Sequence, residues 1–200
     1  MKRAFFLALT VGIATAAITM FQRSESAARV NASNDADVNK SPLKLPLVNP
    51  SIQVTKSKRE LALYSDEKLV RRYTVGLGFS PKDDKARQGD GRTPEGSFYV
   101  CVKNPQSSFY LSLGLSYPNK EHAERGLRDR IITRAQYNEI MSALQRRERP
   151  PWDTPLGGEI FIHGNGSQSD WTWGCVALDN DNMKELYDAI PKGTTVVIKP

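Results

Sequence analysis

From residue 51 onward the chain is dominated by alternating and β-branched runs, and helical periodicity enters only late. Ile52 opens the β pattern. Glu60-Leu61-Ala62-Leu63-Tyr64 and Leu69-Val70-Arg71-Arg72-Tyr73-Thr74-Val75 flank the polar stretch Ser65-Asp66-Glu67-Lys68, which predicts a hairpin. Gly76 and Gly78 end it. A charged loop follows, in which Gly89-Asp90-Gly91 and Thr93-Pro94-Glu95-Gly96 carry tight-turn chemistry. This loop resembles a phosphate cradle only in its glycines: it lacks a GK[ST] ending and feeds a strand. Ser97 to Val102 and Phe109 to Leu115 read as two further strands, and Thr194 to Ile198 as a closing one.

Two helices are expected between them. Thr133 with Gln136 fits a capping box, and Tyr137, Ile140, Met141 and Leu144 recur at helical spacing until Pro150-Pro151. Met183, Leu186, Tyr187 and Ile190 define the second, with Asn180 or Asp181 as its cap and Pro191 at its end. Strands predominate and the helices are late insertions, so the fold class is mainly β with inserted helices, β-sandwich-like.

The N-terminus alters this picture. Lys2 and Arg3 precede an uncharged run from Ala4 to Met20. Residues 1–23 are therefore expected to be a signal peptide, cleaved after Ala28, or a retained inner-membrane anchor. Either places the remainder outside the cytoplasm, in the periplasm or cell envelope. Residues 24–50, rich in Ser, Asn, Asp and Pro without an apolar period, are expected to be a flexible linker, and residues 51–200 the domain.

Composition narrows the classes. An apolar fraction of 39% with 25% charged residues excludes a disordered chain. A net charge of +6 favours anionic partners, but no RNA-binding, helix-turn-helix or zinc-finger signature is present, so nucleic acid is not expected. Arg125, Arg128, Arg130, Arg134, Arg146, Arg147 and Arg149 surround the first helix, as a solvated face or a carboxylate-attracting rim. There is no CxxC or HxxxH spacing, so no metal and no cofactor are expected. The two cysteines, Cys101 and Cys175, allow one disulfide, although Cys101, inside Phe98-Tyr99-Val100-Cys101-Val102, reads more simply as a small buried apolar side chain.

The candidate chemistry lies between Ile160 and Leu178. An apolar run delivers His163 to a strand end, and twelve residues later Cys175 follows Gly174. A thiol of ordinary pKa is only a few per cent thiolate at neutral pH, so it needs a base such as imidazole. Backbone N–H groups around Trp173, Gly174 and Cys175 are candidate oxyanion donors, with Gly174 allowing close approach of a substrate carbonyl. A backbone carbonyl near Gly164 is the candidate partner that orients the imidazole.

Three separated motifs carry a family resemblance: Ile162-His163-Gly164, then Thr172-Trp173-Gly174-Cys175, and upstream Thr93-Pro94-Glu95-Gly96-Ser97-Phe98. With the Tyr73 to Gly78 strand end, residues 52 to 199 resemble the L,D-transpeptidase catalytic domain (YkuD) family. The resemblance implies an exported cysteine enzyme acting on peptidoglycan stem peptides. It makes Cys175 the nucleophile, His163 the base, the Gly164 carbonyl its orienting acceptor, and Thr172, Trp173 and Gly174 the oxyanion and substrate-binding group. The acyl chain would pass to an amine of a second stem peptide, a lipoprotein lysine or a D-amino acid. Two departures stand out: the family's arginine two residues after the cysteine is Ala177, and the histidine-to-cysteine interval is shorter than in many members. A thiol hydrolase on the same fold, and a non-catalytic wall-binding module, are therefore the alternatives.

Overall fold

The computed structural model describes residues 38, 39 and 41–200. The expected signal or anchor segment, and most of the expected linker, lie outside the described residues. The compact unit runs from Pro42 to Pro200. It therefore begins before residue 51: Leu43 and Leu47 pack against the main core, and the Asp66 N–H donates to the Val48 carbonyl at 2.7 Å. Two apolar side chains in an otherwise polar stretch are enough to fasten it.

Eight strands form one mixed sheet: β1 (Ser51–Thr55), β2 (Glu60–Ser65), β3 (Lys68–Thr74), β4 (Gly96–Ser107), β5 (Tyr110–Leu115), β6 (Phe161–His163), β7 (Val176–Ala177) and β8 (Thr195–Lys199). Their spatial order is β3-β2-β1-β8-β4-β5-β6-β7. The β1–β8 and β6–β7 pairs are parallel and the others antiparallel. Beyond β3 the chain continues through Gly76 and Gly78, which bridge to Ala177 and Thr172. The sheet thus curls until its two ends meet, which removes the open edges a flat sheet would present. This is the mainly β class with inserted helices that the strand pattern predicts, its eight strands curled on themselves. Strand residues such as Ile52, Val54, Leu61, Leu63, Phe98, Val196 and Ile198 alternate into a single buried core.

Among the described residues three α-helices complete the fold: α1 (Lys120–Arg128), α2 (Arg134–Gln145) and α3 (Asn180–Ala189). Thr133 caps α2 with both bonds of the expected box. α3 sends Met183, Leu186 and Ala189 into the main core, and its cap is Asp179, one residue before the expected pair. α1 has no counterpart in the hydrophobic pattern, because its buried face is His122, Ala123 and Gly126 rather than a large apolar stripe. It packs with α2 around a second small core of Ala123, Ile132, Ile140 and Leu156. Among the described residues no helix is long and apolar enough to cross a membrane.

Cys101 differs from its expected place. The β4–β5 register passes from Val100–Leu115 to Val102–Gly114, so Cys101 is an extra residue at a bulge, half-buried, with its thiol 3.4 Å from the Gly114 carbonyl. Both cysteines are free thiols. Three strand spacings separate β4 from β7, about 14 Å, well beyond the reach of a disulfide.

Candidate active site

The short parallel pair β6–β7 brings the histidine and the cysteine together. Ile162 lies opposite Val176 and His163 opposite Ala177. One step back, Cys175 is level with Phe161, whose N–H points at Cys175 Sγ from 3.4 Å. Side chains two apart on a strand share a face, so Cys175, Ala177, Phe161 and His163 all stand on one side of the sheet. The core residues Ile162 and Val176 stand on the other.

His163 is almost wholly buried. Its Nδ1 lies 2.7 Å from the Gly164 carbonyl oxygen, which can only accept, so Nδ1 carries the proton and Nε2 keeps a free lone pair. The rings of Phe109, at 4.8 Å, and Trp171, edge-on at 5.6 Å, pack against the imidazole and, at 5.7 Å, against each other. Burial lowers the imidazole pKa, partly opposed by the Gly164 bond. Burial likewise pushes the Cys175 thiol up to about 11; the Phe161 N–H and Lys85 pull it back, and Glu159 raises it further. The thiol also lies 3.5 Å from the Glu159 carbonyl, an acceptor for its proton. Both shifts, driven by burial, favour the uncharged forms of the thiol and the imidazole.

The turn before the cysteine is built by Thr172. Its buried hydroxyl donates to the Cys175 carbonyl at 2.8 Å and accepts from the Gly174 N–H at 3.2 Å. Gly174 thus has its N–H turned to Thr172. It has φ +130°, and a Cβ there would stand 2.6 Å from the Arg92 carbonyl oxygen. Glycine is therefore needed here for packing against the neighbouring loop. The N–H groups of Trp173 and Cys175 have no acceptor among the described residues. The Trp173 ring is 70% exposed and meets Phe79 edge-on at 4.9 Å.

The upstream turn motif braces this loop from below. Thr93, fully buried, accepts the Gly78 N–H on its hydroxyl at 2.9 Å, and its carbonyl receives the buried Lys56 ammonium at 3.0 Å. Lys56 also pairs with Glu95 at 2.7 Å. Gly78 lies so close to Gly91 and Gly174 that a Cβ would come 2.1 Å from the Gly91 carbonyl oxygen.

Sequence reasoning missed the carboxylates that hold the loop between His163 and Cys175. Asp170 takes a bidentate bond from Arg59, at 2.7 to 3.1 Å, and accepts the Leu77 N–H at 3.0 Å. Asp179 turns away from its own helix to accept from Ser167 and Gln168, while Asn180 accepts the Asn165 N–H at 2.9 Å. Partners this far apart in sequence leave no local signal. The same holds for Asp84, whose carboxyl is held far below the usual carboxylate range. Its bonds from His122, the Glu95 N–H and Arg125 outweigh its burial.

Two clefts meet at Cys175. One, of about 280 Å³, is lined by Asn104, Ser107, Phe109, Phe161 and His163 among others; the second, of about 390 Å³, by Lys85, Gln88, Trp152, Gly157 and Trp173 among others. Cys175 and Glu159 line both. None of the seven arginines around the first expected helix lines either cleft; Arg125 pairs with Asp84, while Arg147 and Arg149 lie over the rings of Tyr99 and Trp152. Among the described residues no group of three or more His, Cys, Asp or Glu side chains is placed to hold a metal ion.

Residues 49–198 match the model of the L,D-transpeptidase catalytic domain, YkuD. The chain belongs to this family. It is similar to "Putative L,D-transpeptidase YqjB" of Bacillus subtilis (strain 168), at 28% identity over 156 residues, covering 75% of this chain and 71% of the relative. Among solved structures, a mutant of the helical cell shape determining protein Pgp2 from Campylobacter jejuni shares the fold with a TM-score of 0.51 and 24% identity, covering 84% of this chain and 53% of that one. Bdellovibrio bacteriovorus Bd1075 shares it with a TM-score of 0.51 and 20% identity, covering 78% and 50%. The chain thus spans about half the length of these solved relatives.

Proposed function

We propose that the protein is a cysteine-dependent L,D-transpeptidase of the cell envelope that acts on peptidoglycan stem peptides. One observation carries this reading: a histidine with its Nε2 lone pair free and a thiol stand on the same face of a parallel strand pair, where two clefts meet. As the stem peptide binds, Nε2 of His163 takes the thiol proton and Cys175 Sγ attacks the carbonyl joining the third-position diamino acid to D-Ala. The N–H groups of Cys175 and Trp173 receive the developing oxyanion. The imidazolium returns its proton to the departing D-Ala nitrogen, leaving a thioester. An acceptor amine entering by the other cleft gives up a proton to His163, attacks the thioester carbon and frees the thiol. Gly164 orients the base, Thr172 and Gly174 hold the turn, and the N-terminal segment exports the domain or anchors it.

A second reading, hydrolysis of the same thioester by water, is favoured by Ala177. That position is fully buried and bonded through its backbone to Gly76, so it offers no cation to an acceptor carboxylate. Incubating the purified domain with tetrapeptide muropeptides, with and without an amine acceptor, separates the two by mass spectrometry. Acceptor-dependent products support transfer, and water-resolved products insensitive to acceptor support hydrolysis. A folded domain that releases no D-Ala overturns both.

A further inference from the structure

Among the described residues Glu159 is the only acidic one lining either cleft, and it lines both. Its carboxylate has no hydrogen-bond or ion-pair partner among the described residues. Lys85, the one cation on these walls, is already neutralised by Asp90 at 2.7 Å. The free charge at the junction is therefore negative, on a chain whose net charge is +6. Glu159 also has left-handed backbone, φ 55°, directly after Gly157 and Gly158. Glycine would adopt that conformation without strain. Instead the chain carries a long acid there, with its carbonyl at the Cys175 thiol and its carboxylate near enough to raise that thiol's pKa.

We infer that Glu159 is a specificity-determining residue that recognises a primary ammonium group on the molecule bound at Cys175. This rests on the transpeptidase reading above, in which an ammonium is available from two sources: the side chain of the donor's diamino acid, or the incoming acceptor. An unpaired carboxylate at the mouth shared by two clefts selects such a cation by a charge-assisted hydrogen bond and rejects its acetylated form, which has lost the charge.

The test uses the Cys175→Ala full chain, so that binding is read without turnover. Calorimetry compares a stem tetrapeptide whose diamino acid side-chain amine is free with the same peptide acetylated there, and separately a D-amino acid amide. The free-amine peptide is expected to bind about tenfold more tightly than the acetylated one. Glu159→Gln should remove that difference, leave the acetylated peptide's affinity unchanged and keep the thermal midpoint, while Glu159→Asp restores part of it. If Glu159→Gln instead weakens only the D-amino acid amide, the ammonium recognised is the acceptor's. Equal binding of all ligands to both chains, a preference that survives Glu159→Gln, or no binding at all, overturns the inference. D-Ala release by the unmodified enzyme is scored independently: its absence beside a Glu159-dependent preference sinks the transpeptidase reading and not the recognition.

Discussion

His163 Nδ1 and the Gly164 carbonyl oxygen are 2.7 Å apart, a contact between sequence neighbours that decides which imidazole nitrogen can act as a base. Because the proton is held on Nδ1, Nε2 is the basic atom. His163→Ala and Cys175→Ala should each lower D-Ala release by about a thousandfold or more, and the double variant little further, because the two act as one unit. A double variant whose loss is the product of the single losses would show that they act separately.

The pH behaviour follows from burial. With its pKa near 11, Cys175 is thiolate to only about one part in ten thousand at neutral pH. Iodoacetamide alkylation of Cys175 in the free enzyme should therefore keep rising through pH 9, without a plateau at low pH. The imidazole pKa is lowered, so His163 stays neutral below its ordinary value of about 6.5 and is protonated only as the pH falls further. The acidic limb of the kcat/KM profile should lie below that value. An alkylation plateau at pH 5 to 6 would mean a preformed thiolate–imidazolium pair.

Gly174 and the Arg92 carbonyl set a steric limit. Gly174→Ala adds a Cβ 2.6 Å from that oxygen at φ +130°, and should destabilise the domain by about 3 kcal/mol or more. The thermal midpoint measures it. An unchanged midpoint would mean that the turn shifts freely, and the account of Gly174 would fail.

Thr93→Val keeps the side-chain shape but leaves the Gly78 N–H without its acceptor. The expected cost is about 1–3 kcal/mol. Thr172→Val should cost a similar amount and lower kcat more than it raises KM, because its hydroxyl fixes the cysteine turn rather than contacting substrate. Denaturant titration and steady-state kinetics on the two variants separate these effects.

Ala177→Arg is the single change that restores the family's arginine. Here it should destabilise by about 3–5 kcal/mol and gain no acceptor dependence, because the position is fully buried opposite His163 and a charge there would be desolvated. A stable Ala177→Arg variant with increased transfer to amine would overturn this reading of the strand pair.

Much of the fold was legible because it is local. The hairpin β2–β3, the capped helix α2 and the closing strand β8 follow from alternation, turn residues and a capping box, all within a few residues of one another. The helix α1 was not, since a face of histidine, alanine and glycine carries no hydrophobic period. The compact unit also begins earlier than composition suggested, where Leu43 and Leu47 interrupt a polar stretch.

The sequence by itself determined the candidate pair, its glycines and threonine, and the family motifs, because these are chemical identities at short spacing. Only the tertiary structure decided what each does. The curling of the sheet brings Gly78 and Thr93 beneath the cysteine turn, and ties Arg59 to Asp170 across more than a hundred residues. It also sets Gly174 against the Arg92 carbonyl and Thr172 within the cysteine turn, and burial favours the uncharged forms of His163 and Cys175. Burial and long-range hydrogen bonds are properties of the folded neighbourhood, and no stretch of the chain specifies its neighbourhood alone.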